Sequence, residues 1–231
     1  MQYIDSAAEV LLCLVLISFA FSVIKSTRLA SPHRFWLALA LLFIAVTAAF
    51  GAVRFAGELS VVPTHNLLSQ LSTQVAMVVY VCLLPVILIS YTDSEASVCD
   101  RRGQLDELKI ARAGIALLLI GLLIAVARGL MSISLPSLFT DIVIFLGMVL
   151  FWLQVRMKML AVVATLCLLL VPLTTLLPVD DDIHMALFHL FLAVHFGLVR
   201  WAVFSHKNHT NPAHLSKIDL QSKVNHQRGV L

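Results

Sequence analysis

The feature that most constrains this chain is a succession of long apolar runs. Each run has about 18–25 residues, the length that an α-helix needs to cross about 30 Å of hydrocarbon. Of the 231 residues, 60% are hydrophobic and 13% are charged, whereas an ordinary soluble domain is about 45–50% apolar and about 25% charged. The pattern predicts one all-α, polytopic membrane domain rather than a soluble fold around a single core.

Seven such runs can be delimited, and they predict a bundle of seven transmembrane helices. The membrane domain is expected to comprise residues 1–204, with spans at about 7–24, 35–56, 67–91, 110–130, 135–153, 159–177 and 183–204. Pro85 lies within the third span, where neighbouring helices can satisfy the carbonyl group that a proline leaves free. Residues 205–231 are expected to form a polar, largely disordered cytosolic tail.

The basic residues are distributed unequally between the two sets of connections. Fourteen of the sixteen lysines and arginines fall on one side of the expected bundle, and Arg54 and Arg128 fall on the other. The positive-inside rule therefore predicts an N-terminus outside and a C-terminus in the cytosol. The net charge of +3 is then explained by topology and headgroup contacts, so no nucleic-acid partner is expected. Short loops favour a bacterial inner membrane, with a plasma membrane as the alternative.

Polar side chains within the expected spans are concentrated in the outer half of the membrane. At 1.5 Å per residue, the residues expected to line a pocket open to the outside are Arg54, Gln70, Gln74, Arg128, Asp141, His184 and His189. The cytosolic half is almost wholly apolar, whereas a channel or transporter needs polar groups along its whole path. The pattern therefore favours an outward-facing pocket over a through-path.

A structural explanation of the same polar residues stays open. Arg54 and Arg128 are long enough to snorkel to water from near the ends of their spans. Asp141 is too short to do so from a turn below the surface, and its simplest partner would be one of these two arginines. A buried ion pair of that kind could fix helix packing without any chemistry.

The last run carries three histidines, but their spacing does not give a metal site. His184 and His189 are five residues apart and point about 140° away from each other, and His184 and His195 lie about 16 Å apart along the axis. Zinc needs three protein ligands that converge on one point, so the candidate set would be His65, Asp141, His184 and His189. No cofactor is predicted, and zinc remains the alternative.

Seven spans, an N-terminus outside, little mass outside the membrane and a histidine-bearing last span resemble the superfamily of alkaline ceramidases and progestin/adiponectin-type receptors. The sequence FHL at 188–190 and the preceding DDDIH resemble small bacterial members of that group. Its zinc site uses Ser-x-x-x-His in span two, an Asp in span three and His-x-x-x-His in span seven. Here Phe50 and Arg54 stand at the first spacing, Gln70 and Gln74 occupy span three, and span seven has no His-x-x-x-His. The resemblance therefore implies the seven-helix architecture but does not identify zinc ligands in this chain.

Several other chemistries lack their sequence signals. A retinal protein needs a Schiff-base lysine in the middle of the last span, and none of the six lysines lies there. No G-x-S-x-G nucleophile motif and no phosphate-binding glycine loop is present. The four cysteines have no metal-ligand spacing.

Three functional hypotheses follow. The leading one is non-enzymatic binding of a small ligand, a lipid or a membrane partner in the outward-facing pocket, without an assigned catalytic residue. The second is a metal-dependent lipid amidase or hydrolase of the ceramidase-like type. The third is a structural subunit of a membrane complex, in which polar residues pair helices. The expected partners are membrane lipids and either another membrane protein or further copies of this chain.

Overall fold

The computed structural model describes residues 2–26, 31–92, 101–129, 138–154, 158–174 and 180–204, and this part of the chain contains helices and turns but no strand. The α-helices are α1 (Gln2–Lys25), α2 (Ser31–Phe55), α3 (Val62–Leu71), α4 (Met77–Thr92), α5 (Arg101–Gly129), α6 (Leu138–Gln154), α7 (Lys158–Leu173) and α8 (Asp181–Phe204). The prediction of an all-α protein is confirmed for the described residues. The expected tail, 205–231, lies outside them.

Within the described residues, four helical segments are long and apolar enough to cross a membrane. They are Tyr3–Lys25, Pro32–Phe55, Leu59–Pro85 and Ile183–Phe204. The other three expected spans correspond to shorter apolar segments, Arg112–Ile124, Thr140–Leu153 and Met159–Val171. The four long segments fit an integral membrane protein.

Large apolar side chains on the outside of the bundle agree with a lipid environment. Leu119 is 64% exposed, Leu123 is 68% exposed and Trp201 is 59% exposed. Soluble monomers rarely present contiguous apolar surface on this scale, whereas a surface of this composition is well solvated by lipid chains.

The third long segment begins earlier than the sequence predicts. A 3₁₀ turn at Leu59–Val61 leads directly into α3, where a link was expected before residue 67. Pro63 lies in the first turn of α3, where its missing N–H is not needed and its fixed φ suits a helix. His65, which was expected in the link, is therefore helical and only 7% exposed.

Glu58 caps this helical start from outside the segment. Its carboxylate accepts a hydrogen bond from the backbone N–H of Ser60 at 3.1 Å. Hydrogen bonding from the Ser60 hydroxyl, the larger effect, and from this N–H lowers the pKa of Glu58 below its ordinary value, because both favour the charged carboxylate.

Small residues set the close packing between helices. α1 packs against α2 and α8, α7 packs against α8, and α4 packs against α5 and α6. Alanines such as Ala45 and Ala48 are buried on α2. A Cβ on Gly121 of α5 would overlap Val78 of α4, and one on Gly147 of α6 would lie 3.0 Å from Val81. Such residues let helix backbones approach closely in a membrane bundle.

The centre of the bundle contains a polar contact between three helices. His195 Nδ1 lies 2.8 Å from the carbonyl oxygen of Ala164, and Tyr80 Oη lies 3.1 Å from His195 Nε2. Because a carbonyl can only accept, Nδ1 carries the proton, and Nε2 accepts the hydrogen bond from Tyr80. His195, on α8, thus ties α4 and α7 together as a neutral, fully buried residue.

Candidate functional site

A cavity of about 460 Å³ lies between α1, α2, α3, α6, α7 and α8. It occupies the part of the bundle where α1, α3, α6 and α8 begin. The titratable residues that line it are Glu9, His65, Asp141 and His189. Hydroxyl groups in its wall are those of Thr47, Ser69, Ser72, Thr73 and Thr165. Among the described residues, no lysine or arginine lines it.

Glu9 is the most deeply buried charged group of this cavity. It lies in the third turn of α1 and is 2% exposed, and Asp5, one turn before it, is 1% exposed. Glu9 Oε1 lies 2.9 Å from His189 Nε2. A carboxylate at this depth is costly unless it is paired or hydrogen-bonded, and such groups mark functional sites in membrane proteins.

A glycine on α2 makes room for the Glu9 carboxylate. A Cβ built on Gly51 would overlap Glu9 Oε1 and would lie 3.2 Å from His65 Nε2. The carboxylate and the imidazole of His65 therefore converge on the same bare stretch of the α2 backbone. Any larger residue at position 51 would compete with them for this space.

Arg54 fixes the tautomer of His65. Its Nη1 lies 3.0 Å from His65 Nδ1 and donates to Asn66 Oδ1 at 3.2 Å. A guanidinium has donors and no acceptor, so Nδ1 of His65 must accept. The proton of the neutral ring then sits on Nε2, the nitrogen that lies beside Gly51 and Glu9.

Phe55 packs against both imidazole rings of the cavity. Its ring centroid lies 6.4 Å from that of His65 and 6.2 Å from that of His189. These are edge-to-face and tilted contacts, which aromatic pairs favour. Phe55 thus helps to hold the two rings on either side of Glu9.

One wall of the cavity is built from a π-helical turn. This turn, Ser72–Ala76, joins α3 to α4 and contributes Ser72 and Thr73 to the lining. A π turn inserts an extra residue and so rotates the helix face that follows it. Such turns occur frequently at functional sites, and this one faces the cavity.

The structure brings three of the expected pocket residues together. Asp141 and His189 line the cavity, and Arg54 contacts the lining residue His65 without lining the cavity itself. Of the two arginines considered as partners of Asp141, Arg54 instead directs its donors to His65 and Asn66.

Three of the other expected residues do not line this cavity. Gln70 is exposed, and neither it nor Gln74 lines the cavity. His184 is half-buried in the first turn of α8 and is also outside the lining. The side chain of Arg128 lies outside the described residues.

Sequence reasoning missed Glu9, the residue at the centre of the site. Glu9 falls within the first expected span but was not among the expected pocket residues, and α1, which begins at Gln2, places it inside the bundle. The available signal was an acidic residue inside the first expected span, 7–24, which is a functional hypothesis by itself.

The described part of the chain contains no group of three or more His, Cys, Asp or Glu side chains arranged to hold a metal ion. Of the candidate metal ligands, His65, Asp141 and His189 line one cavity, and His184 does not. The arrangement is a cavity with one buried carboxylate and two imidazoles.

No family model, curated protein or solved structure matches this chain.

Proposed function

We propose that this chain is an integral membrane protein that binds a small ligand in the cavity beside Glu9. The observation that carries the proposal is the cavity itself, about 460 Å³ in volume, with Glu9, His65 and His189 oriented at one end. Ligand sites are typically concavities of about 300–1,000 Å³ with mostly apolar walls and a few placed polar groups.

The buried carboxylate supports a binding role over simple helix packing. A hydrophobic residue at position 9 would fill the same space without the desolvation penalty of a charge. The chain instead places glutamate against a glycine and supports it with His189. Groups held in this way are pre-organised for a partner, which reduces the ordering cost of binding.

We place this cavity in the outer half of the membrane, in agreement with the positive-inside rule. A ligand that approaches the cavity from outside would first meet the side chains at the beginning of α3 and α8. The ligand then enters from the external medium or from the outer leaflet, and the cytosolic half of the bundle serves as its apolar base.

A cavity-filling substitution tests this proposal. Ser69 lines the cavity from α3 and is half-buried, so Ser69→Phe places a ring into the space. Leu67→Phe is the matched control, because Leu67 lies on the same helix, is 58% exposed and does not line the cavity.

The measurement is the set of small molecules and lipids that copurify with each variant in mild detergent, identified by mass spectrometry after extraction. At least one species is expected in the wild type and in Leu67→Phe, and its amount should fall about tenfold or more in Ser69→Phe, a change equivalent to about 1.4 kcal/mol. Identical contents in all three proteins would contradict a ligand in this cavity.

A further inference from the structure

The polar lining of the cavity is made of groups that accept hydrogen bonds or attract positive charge. It contains the carboxylates of Glu9 and Asp141, and among the described residues no lysine or arginine faces it. An anionic ligand would meet two carboxylates and no counter-ion here. A cationic ligand would meet groups of the opposite charge.

The His189 contact does not cancel the charge of Glu9. His189 is 6% exposed, and its Nδ1 has no hydrogen-bond partner within the described ranges. A doubly protonated ring would leave a buried, charged N–H unpaired, which is expensive. The neutral ring, with its proton on Nε2 and directed to Glu9, avoids this cost and leaves Nδ1 as an acceptor.

The guanidinium of Arg54 is also held away from Glu9. Arg54 binds Nδ1 of His65, so the width of the imidazole ring separates its guanidinium from the carboxylate side of that ring. Glu9 therefore receives an N–H from a neutral histidine at 2.9 Å and has further acceptor capacity, because a carboxylate offers about four lone-pair sites.

Apart from the hydroxyl groups in its wall, the remainder of the cavity is apolar. It is lined by side chains such as Leu12, Ile44, Met77, Met148 and Phe196. An apolar chain or ring lying here would bury its surface against them at about 25 cal/mol per Å².

We infer that the ligand of this cavity is an organic cation with an apolar tail, of the protonated primary-amine class. Glu9 is its counter-ion. His189 donates to the carboxylate through Nε2, and Gly51 leaves room for it. This inference rests on the proposed function of the cavity and adds the charge of the ligand to it.

Three probes of matched shape test the charge directly in the full-length protein. They are 4-phenylbutylamine, 4-phenylbutanol and 4-phenylbutyrate, which are cationic, neutral and anionic at neutral pH. Binding is measured by calorimetry in detergent micelles, with Ser69→Phe as the blank for partition into the micelle. The amine is expected to bind about tenfold or more tighter than the alcohol, and the carboxylate weaker than both.

Two isosteric variants then assign the counter-ion. Glu9→Gln is expected to remove the preference for the amine over the alcohol. Asp141→Asn should keep most of it, because the Asp141 side chain is exposed on the bundle, whereas that of Glu9 is enclosed at the cavity. Loss of the preference in Asp141→Asn but not in Glu9→Gln would overturn the assignment to Glu9.

The wild-type comparison decides the inference even where Glu9→Gln fails to fold. If the alcohol binds as tightly as the amine and Ser69→Phe abolishes both, the cavity binds ligands but the cation inference is wrong. If wild type and Ser69→Phe take up all three probes alike, the proposed function fails and the inference fails with it.

Discussion

The behaviour of single residues in this bundle is decided by what surrounds them. Glu9 and Glu58 are both glutamates near the beginning of a helical segment, yet one is buried at 2% exposure and the other is fully exposed. Glu9 lies against Gly51 and His189, whereas Glu58 only caps a turn. Their positions in the sequence did not indicate which of the two would be buried or which groups each would contact.

The space beside Gly51 gives a stability prediction. Gly51→Ala places a methyl group where Glu9 Oε1 lies, so the carboxylate must move away from His189, at an expected loss of roughly 1–3 kcal/mol. Gly197→Ala on α8 is the control, because a Cβ there meets nothing within 4 Å. It should be neutral, or stabilising by up to about 1 kcal/mol. Reversible unfolding in mixed micelles measures both, and equal stabilities would refute the close packing of Glu9.

The contact between Tyr80 and His195 gives a second prediction. Tyr80→Phe removes the O–H that donates to His195 Nε2, and about 1–2 kcal/mol of stability should be lost. His195→Phe should cost more, since it also leaves the Ala164 carbonyl without its donor. The double variant is expected to cost less than the sum of the two, because the contact they share is lost only once. Strict additivity in unfolding measurements would mean that the two side chains do not interact.

At the scale of helices, the sequence predicts existence better than boundaries. Apolar runs and their length anticipate α1, α2 and α8 closely. They do not anticipate that α3 begins at Val62, because Pro63 and His65 resemble a link in composition. Nor does composition indicate the π turn at Ser72–Ala76, which depends on how α3 and α4 pack against α2, α5 and α6.

The cap of the 3₁₀ turn makes the beginning of this segment sensitive to pH. The pKa of Glu58 is lowered from 4.5 by hydrogen bonding from the Ser60 hydroxyl and from the Ser60 backbone N–H. The cap is therefore fully present above pH 4.5 and is lost as the pH falls through the lowered pKa. Exchange of the Ser60 amide hydrogen, corrected for intrinsic rates, should accelerate over that window in the wild type. In Glu58→Gln the corrected rate should not change there, and an equal acceleration would exclude Glu58 as the cause.

At the scale of the whole molecule, the polar groups of the cavity and the basic residues are both distributed unevenly along the bundle. The described cavity draws its titratable residues from one part of the bundle, where α1, α3, α6 and α8 begin. The charge asymmetry of the sequence predicts that this part faces outside. The titratable groups of the cavity and most of the basic residues would then lie towards opposite surfaces of the membrane.

Labelling of single cysteines tests this orientation. In a background with Cys99 replaced by Ser, Thr64→Cys at the beginning of α3 should react with a membrane-impermeant maleimide on intact cells. Ser97→Cys, in the connection after the third expected span and outside the described residues, should react only after lysis. The opposite pattern would invert the topology and place the cavity towards the cytosol.

The sequence by itself indicated an all-α membrane protein. The thickness of the bilayer sets the length and the apolar composition of a spanning helix, and both can be recognised without knowing how the helices pack. It also indicated Asp141 and His189 as polar residues at membrane depth. Only the tertiary structure decided that Glu9 joins them, that Arg54 binds His65 rather than Asp141, and that Gln70 and His184 stay outside the cavity. Those outcomes depend on which helix faces meet, and on a glycine at position 51 that leaves room for a carboxylate. Helical periodicity fixes the angle between residues of one helix but not the rotation of one helix against another.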